Sequence, residues 1–151
     1  MKNLIFGLIA TVLFSNLTLG QETKVVGVKN GNDFVLNIDS REILSKINNV
    51  TNNEFNMTSI EIKEGYDSEL RQTYFYLLIK NDANSASIAF SLKLNNRNFE
   101  INQNSGTVTC TGCAYGCSPM QVSKLWYCSG GCGYDCKKSE TVTTKAFLSM
   151  L

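Results

Sequence analysis

Six cysteines lie close together in the C-terminal third of this 151-residue chain, and their spacing is the strongest chemical signal in the sequence. They form two triplets separated by ten residues, and the members are Cys110, Cys113, Cys117, Cys128, Cys132 and Cys136. An even number of clustered cysteines is typical of a disulfide framework. Cysteines only three positions apart, such as Cys110 and Cys113, rarely bridge each other, so bonds between the triplets are favoured. The sequence therefore predicts disulfides and leaves their pairing open.

The same cysteines could instead hold a metal ion. Cys110, Cys113, Cys132 and Cys136 approximate the ligand spacing of a four-thiolate zinc site. Two cysteines would then be left over, and thiolates outside the cytoplasm tend to oxidise. The spacing differs from that of ferredoxin iron–sulfur sites, and Cys110–Cys113 lacks the strand-then-helix setting of a thiol oxidoreductase. We therefore expect no cofactor, with zinc as the alternative.

Four aromatic side chains lie among the cysteines, namely Tyr115, Trp126, Tyr127 and Tyr134. A small disulfide-rich segment builds little apolar core, so these rings are expected first to pack over the sulfur atoms. Tyr and Trp also recur at binding surfaces, because their rings combine apolar area with a polar group. The alternative is therefore an exposed surface that binds an extracellular or periplasmic protein or glycan.

The N-terminus predicts the compartment in which this chemistry takes place. Lys2 precedes an apolar run at 4–14, and small or polar residues follow, with Thr18 and Gly20 placed before a cleavage site. This order is typical of a secretory signal peptide at 1–20, and the apolar run is shorter than the roughly 20 residues of a membrane-spanning helix. We expect a secreted or periplasmic mature protein with no stable membrane span.

Hydrophobic periodicity predicts the elements that must position the cysteines. Asn30-Gly31 between two short β-rich runs predicts a hairpin. Asp39 and Glu42 form a capping-box pattern, and the apolar positions after them share one helical face to about Asn49. Later segments alternate between apolar and polar residues, which is typical of antiparallel strands with one buried and one solvated face. The alternating segments lie at 60–63, 74–79, 87–94 and 99–101.

These elements predict an α+β fold in which one helix packs on an antiparallel meander of four to five strands, with a C-terminal cysteine-rich loop module. The expected organisation is a signal peptide at 1–20, an α+β domain at 21–109, a cysteine-rich module at 110–136, and a segment at 137–151. This last segment is rich in β-forming residues and is predicted to return to the sheet.

Composition narrows the range of functions. The chain has no histidine, and its 14 basic residues nearly balance 13 acidic ones. Histidine is the commonest general base, and basic patches dominate binding to nucleic acid. The sequence carries no catalytic motif or phosphate-binding loop. We expect an exported, non-enzymatic binding or structural protein, stabilised by disulfides, that does not bind nucleic acid. The alternatives are a zinc-binding protein and a small secreted toxin or competition factor.

Overall fold

The computed structural model describes residues 22–113, 115–131 and 136–151, so the predicted signal peptide, Cys132 and Tyr134 lie outside it. The described ranges contain ten strands and two helices. In chain order they are β1 (Thr23–Asn30), β2 (Asp33–Leu36), α1 (Ser40–Val50), β3 (Ser59–Asp67), β4 (Gln72–Lys80), β5 (Ala86–Asn95), β6 (Asn98–Asn102), β7 (Thr107–Thr111), β8 (Cys117–Val122), β9 (Leu125–Gly130), β10 (Lys137–Ser139) and α2 (Thr144–Leu148). Within these ranges, no helix has the length and apolar character that crossing a membrane requires.

Eight strands form one antiparallel sheet, and the ten-residue strand β5 lies at its centre. One edge of β5 pairs with β4, which in turn pairs with β3. The other edge pairs with β7 over Ala86–Phe90 and with β6 over Lys93–Asn95. From there β7 continues to β10, whereas β6 continues to β1 and β2. The sheet curls into a nearly closed barrel, which brings its end strands β2 and β3 near each other.

The predicted α+β fold is therefore wrong. Strands make up 52% of the structure and helices 13%, and the sheet is barrel-like, with two short helices instead of one helix on a meander. Alternation along a strand encodes which face is buried, but it does not encode how far a sheet curls or which strands meet at its ends. The alternating segment at 87–94 predicted the central strand β5 itself, but it did not indicate that this strand is shared between two sets of neighbours.

Helix α1 and the first hairpin form where the sequence predicts them. The Asp39 side chain caps the helix by accepting hydrogen bonds from the amides of Arg41 and Glu42, at 3.0 and 3.1 Å. Its buried residues Ile43 and Ile47 join the core inside the curled sheet. The β1–β2 hairpin turns at Gly31, whose φ of 62° is the left-handed conformation that favours glycine.

The C-terminal segment contributes to the same core. It meets the sheet through β10, which pairs with β7. The following Thr144–Leu148 is helical, however, although its composition favoured a strand. The Thr143 side chain caps this helix, and Phe147 stacks on Phe90 with ring centroids 4.3 Å apart. Capping and burial of Phe147 outweigh the β propensity of the threonines.

The structure also corrects the prediction that one face of the sheet is solvated. On β5 this face carries Ser87, Ala89 and Ser91, and the first two are buried. The hairpin formed by β8 and β9 lies over them and builds a second apolar cluster. The small side chains of β5 leave room for this close approach. The cysteine segment is therefore a second layer made of strands, not a loop module.

Candidate binding surface on the disulfide hairpin

A two-residue turn at Ser123-Lys124 joins β8 to β9, and both residues have positive φ, 52° and 65°. The strand register begins with Val122 opposite Leu125 and continues to Cys117 opposite Gly130. Opposite residues of an antiparallel pair share a face, so the hairpin has an inner and an outer side. The inner side carries Cys117, Pro119, Gln121, Trp126, Cys128 and Gly130, and the outer side carries Ser118, Met120, Val122, Leu125, Tyr127 and Ser129.

Two disulfides fix this hairpin to the main sheet. Cys128 of β9 bonds to Cys110 of β7, and Cys117 of β8 bonds to Cys136, which immediately precedes β10. Both bridges join the first cysteine triplet to the second, with sequence separations of 18 and 19. Closing loops of this length contributes about 3 kcal/mol per bridge, chiefly by restricting the unfolded chain. Cys113 is disulfide-bonded as well. The protein is thus stabilised by disulfides.

Of the proposed zinc ligands, the three that the structure describes are oxidised cysteines. Cys110 and Cys136 belong to two different disulfides, and Cys113 is also oxidised. A disulfide sulfur lacks the negative charge with which a thiolate binds zinc. Over the described ranges, no three side chains of the metal-binding types are grouped to hold an ion. Cys132, the remaining candidate, lies outside those ranges.

The described aromatic candidates divide between the two sides of the hairpin. Trp126 is 6% exposed and packs edge-on against Tyr74 and Tyr76 of β4, with centroid distances of 6.1 and 5.6 Å. Burial in this cluster raises the pKa of Tyr76 above its ordinary value. Tyr127 and Tyr115 are instead 47% and 87% exposed. The three described rings therefore do not form one surface, because Trp126 packs in the second apolar cluster.

Polar contacts hold β8 against the main sheet along the edge that does not pair with β9. The amide of Cys117 donates to the carbonyl oxygen of Asn84 at 2.8 Å. Farther along the strand, the amide of Gln121 donates to the hydroxyl of Tyr74 at 3.0 Å. Pro119, between them, has no amide hydrogen to satisfy. These contacts fix the orientation of the hairpin in addition to the disulfides.

Asp67 ties the turn of the hairpin to the turn between β3 and β4. Its carboxylate accepts hydrogen bonds from the amides of Glu69, Leu70 and Lys124, each at 3.1 Å, and the residue is 1% exposed. Burial alone would raise the pKa of Asp67. The hydrogen bonds from backbone amides, including that of Lys124, together outweigh burial and lower the pKa of Asp67 below its ordinary value of 3.8. Ser123 adds a hydrogen bond from its hydroxyl to the Glu69 carboxylate.

The outer side of the hairpin presents apolar side chains to solvent. Met120 is 40% exposed and lies opposite Tyr127, whereas Leu125 is 60% exposed and lies opposite Val122. We call these four residues the hairpin face. The ammonium group of Lys138 on β10 lies 5.7 Å from the centroid of the Tyr127 ring. Contiguous exposed apolar side chains on a folded protein often mark an interaction site.

Sequence reasoning identified Tyr127 of the hairpin face but missed Met120, Val122 and Leu125. A signal for them was present, because Met120 and Val122 flank the polar Gln121 before the polar pair at 123–124, and an apolar run at 125–127 follows that pair. Two β-forming segments on either side of a two-residue polar interval predict a hairpin. The high content of cysteine and glycine favoured a loop interpretation and concealed the pattern.

No family model, curated protein or solved structure matches this chain. Its function must therefore be inferred from the residues and contacts described above.

Proposed function

We propose that this chain is an exported, non-enzymatic protein whose hairpin face binds a partner protein outside the cytoplasm. The observation that carries the proposal is the combination of an apolar outer side with a rigid attachment. Met120, Leu125 and Tyr127 remain 40–60% exposed, although the hairpin that presents them is cross-linked to the sheet at two points. Rigid presentation lowers the conformational entropy lost on binding.

The composition of the hairpin face favours a protein partner over a glycan. Three of its four residues are aliphatic or thioether side chains, namely Met120, Val122 and Leu125. Met and aromatic residues are enriched at protein–protein interfaces, where a dry apolar centre excludes water. A glycan-binding site combines a flat ring with polar groups that bind the hydroxyls of the sugar. The hairpin face supplies the ring of Tyr127, but its other three side chains are apolar.

Export is supported by two independent features. The signal-peptide pattern at 1–20 directs a chain across a membrane, and disulfides persist in the oxidising compartments beyond it. Cys110–Cys128 and Cys117–Cys136 are consistent with such an environment. The absence of histidine from the sequence and the saturation of the buried Asp67 carboxylate by backbone amides support a non-enzymatic role.

Two variants with matched apolar losses test the binding role. The first is Met120→Ser with Leu125→Ser, and the control is Val25→Ser with Val35→Ser, whose side chains are 43% and 45% exposed on β1 and β2. Each protein is immobilised, exposed to the cell-surface and secreted proteins of the producing cells, and the retained proteins are identified by mass spectrometry. A partner retained by the wild type and the control, and lost by the first variant, supports the proposal.

The affinity for that partner is then measured with all three proteins. Truncation of the few residues that dominate an interface costs about 2 kcal/mol or more, so we expect an increase in Kd of roughly 30-fold or more for the first variant. Equal affinities for the two variants contradict the proposal. Loss of binding after periodate oxidation of the partner's sugars assigns the contact to a glycan and overturns the choice of a protein.

Export is tested by N-terminal sequencing of the protein from cell fractions. We expect a mature chain that begins at Gln21 and is found in the periplasm or the medium. A chain that retains Met1 and is confined to the cytosol contradicts this part of the proposal.

A further inference from the structure

The two long edges of the hairpin differ in their hydrogen bonding. Because the turn has two residues, Val122 and Leu125 form the first hydrogen-bonded pair, and alternate residues then bond across the hairpin. The residues between them direct their N–H and C=O groups outward. On β8 these are Cys117, Pro119 and Gln121, and on β9 they are Trp126, Cys128 and Gly130.

The β8 edge is already occupied. The outward amides of Cys117 and Gln121 donate to the main sheet, and Pro119 has none. The carbonyl oxygen of Cys117 also accepts a hydrogen bond from the Ser87 hydroxyl at 2.7 Å. A proline and satisfied outward groups close an edge to further strands.

The β9 edge is open when it is judged in the same way, by the partners of its outward backbone groups. The backbone amides of Trp126, Cys128 and Gly130 have no backbone partner among the residues that the structure describes. They recur at every second residue, which is the spacing of a strand ladder. A two-stranded sheet with one unpaired edge is a template for strand addition by an extended peptide.

We propose that the β9 edge accepts an extended segment of the partner protein as a third strand of the hairpin sheet. This inference rests on the proposed function and names the form in which the partner binds. Partner residues opposite Leu125 and Tyr127 place their side chains on the same side as the hairpin face. Because neighbouring strands are stabilised by cross-strand side-chain pairs, these partner residues are apolar or aromatic.

Charge next to the edge adds a further requirement. Lys138 of β10 is exposed, and its ammonium group reaches the ring of Tyr127. It is not among the lysines that form ion pairs in the described residues. An Asp or Glu in the partner segment complements Lys138, since opposite charges across an interface favour association and register.

Hydrogen exchange in the free protein gives the first test. We expect the amides of Trp126, Cys128 and Gly130 to exchange rapidly, whereas those of Leu125, Tyr127 and Ser129, which face β8, exchange slowly. Equal protection of both sets in the free protein means that the edge is already paired, and this overturns the proposal. Protection that grows with protein concentration, together with dimer formation, assigns the edge to a second copy and also overturns it.

A library of linear heptapeptides displayed on phage supplies the second test. Peptides selected on the wild-type protein are synthesised with single N-methyl groups, each of which removes one backbone donor. We expect a period of two, with methyl groups at alternate positions weakening binding roughly ten-fold or more and the intervening ones having little effect. Binding must also protect the amides of Trp126, Cys128 and Gly130 from exchange.

Two outcomes of the peptide experiment contradict strand addition: no peptide is selected, or the N-methyl series shows no period of two. Binding of the native partner distinguishes a failure of strand addition from a failure of the proposed binding role. If Met120→Ser with Leu125→Ser abolishes partner binding while the selected peptides show no alternation, the hairpin face binds a protein in another form. If peptides bind with the period of two while that variant retains the partner, the binding role of the hairpin face is wrong.

Discussion

Inside the barrel-like sheet, large rings such as Phe90, Phe99 and Phe147 are fully buried, whereas the hairpin layer lies over small side chains such as Ser87 and Ala89. The main sheet therefore gains its stability from apolar burial, which scales with the area removed from water. A two-stranded hairpin is marginal by itself. The disulfides of the hairpin supply the stability that its small apolar core does not provide. One chain thus uses apolar burial to stabilise its scaffold and covalent bonds to stabilise the layer that presents its surface.

Truncating one aromatic ring in each region should give the largest difference between stabilisation by apolar burial and stabilisation by disulfides. Phe90→Ala opens a cavity in the main core and is expected to cost about 3–5 kcal/mol in the free energy of unfolding. Trp126→Ala should cost less, because the buried indole N–H of Trp126 has no hydrogen-bond partner in the described structure and its loss removes no hydrogen bond. Urea unfolding of both variants measures the difference. A greater loss for Trp126→Ala would show that the hairpin, not the sheet interior, dominates stability.

Removal of one bridge should weaken the hairpin layer while leaving the sheet intact. The variant Cys110→Ser with Cys128→Ser is expected to lose about 3 kcal/mol, because the unfolded chain is no longer cross-linked there. Hydrogen exchange should rise in β8 and β9 and remain low in β4 and β5. Exchange that rises equally in all four strands contradicts the separation of the two regions.

The third bridge is predicted from the other two. With Cys110–Cys128 and Cys117–Cys136 formed, Cys113 has Cys132 as the one cysteine left to bond. Peptide mapping of the unreduced protein should therefore recover a Cys113–Cys132 link. The denatured mass should lie about six daltons below that of the reduced chain, since each disulfide removes two hydrogens. Free thiols together with bound zinc would restore the metal-binding alternative.

Asp67→Asn tests the contact between the hairpin turn and the main sheet. The pKa of Asp67 is lowered in the folded state, so its contribution to stability is present above the ordinary value of 3.8 and is lost as the pH falls through the folded value. The melting temperature of the variant should lie below that of the wild type at neutral pH, and the gap should narrow in acid below pH 3.8. A gap that is constant with pH means that the charge of Asp67 does not stabilise the turn.

Lys124→Gly should give the smallest effect. Lys124 has a φ of 65°, a left-handed conformation in which a residue with a Cβ is strained by about 1 kcal/mol. Glycine removes that strain but is more flexible in the unfolded state, so the net change in the free energy of unfolding should stay within about 1 kcal/mol. The amide that donates to Asp67 is kept. Thermal unfolding measures the result, and a large destabilisation would indicate that the Lys124 side chain itself holds the turn.

Local structure was predictable where it depends on residues that are close in sequence. Asp39 indicated the start of α1, Gly31 marked the first hairpin turn, and the alternating segments at 60–63 and 74–79 lie in β3 and β4. These features depend on backbone conformation and on the period of two. Neither requires knowledge of distant parts of the chain.

The tertiary arrangement could not be predicted in the same way. Ser87 and Ala89 suit a solvated face and also a face covered at close range, and only the position of the hairpin distinguishes these cases. The curling of the sheet depends on β5 pairing with both β6 and β7 along one edge, and the alternation of side chains does not encode this arrangement. For the candidate site, the cysteines identified the region, but its apolar residues became apparent from the register of Met120 opposite Tyr127.

The two attachment points of the hairpin have a mechanical consequence. A partner that pulls on the hairpin transmits tension through Cys110–Cys128 into β7 and through Cys117–Cys136 to the start of β10. These strands are neighbours in the sheet, so the load is shared between adjacent anchors rather than concentrated at one. Pulling the hairpin away from the sheet therefore requires the breaking of covalent bonds as well as hydrogen bonds.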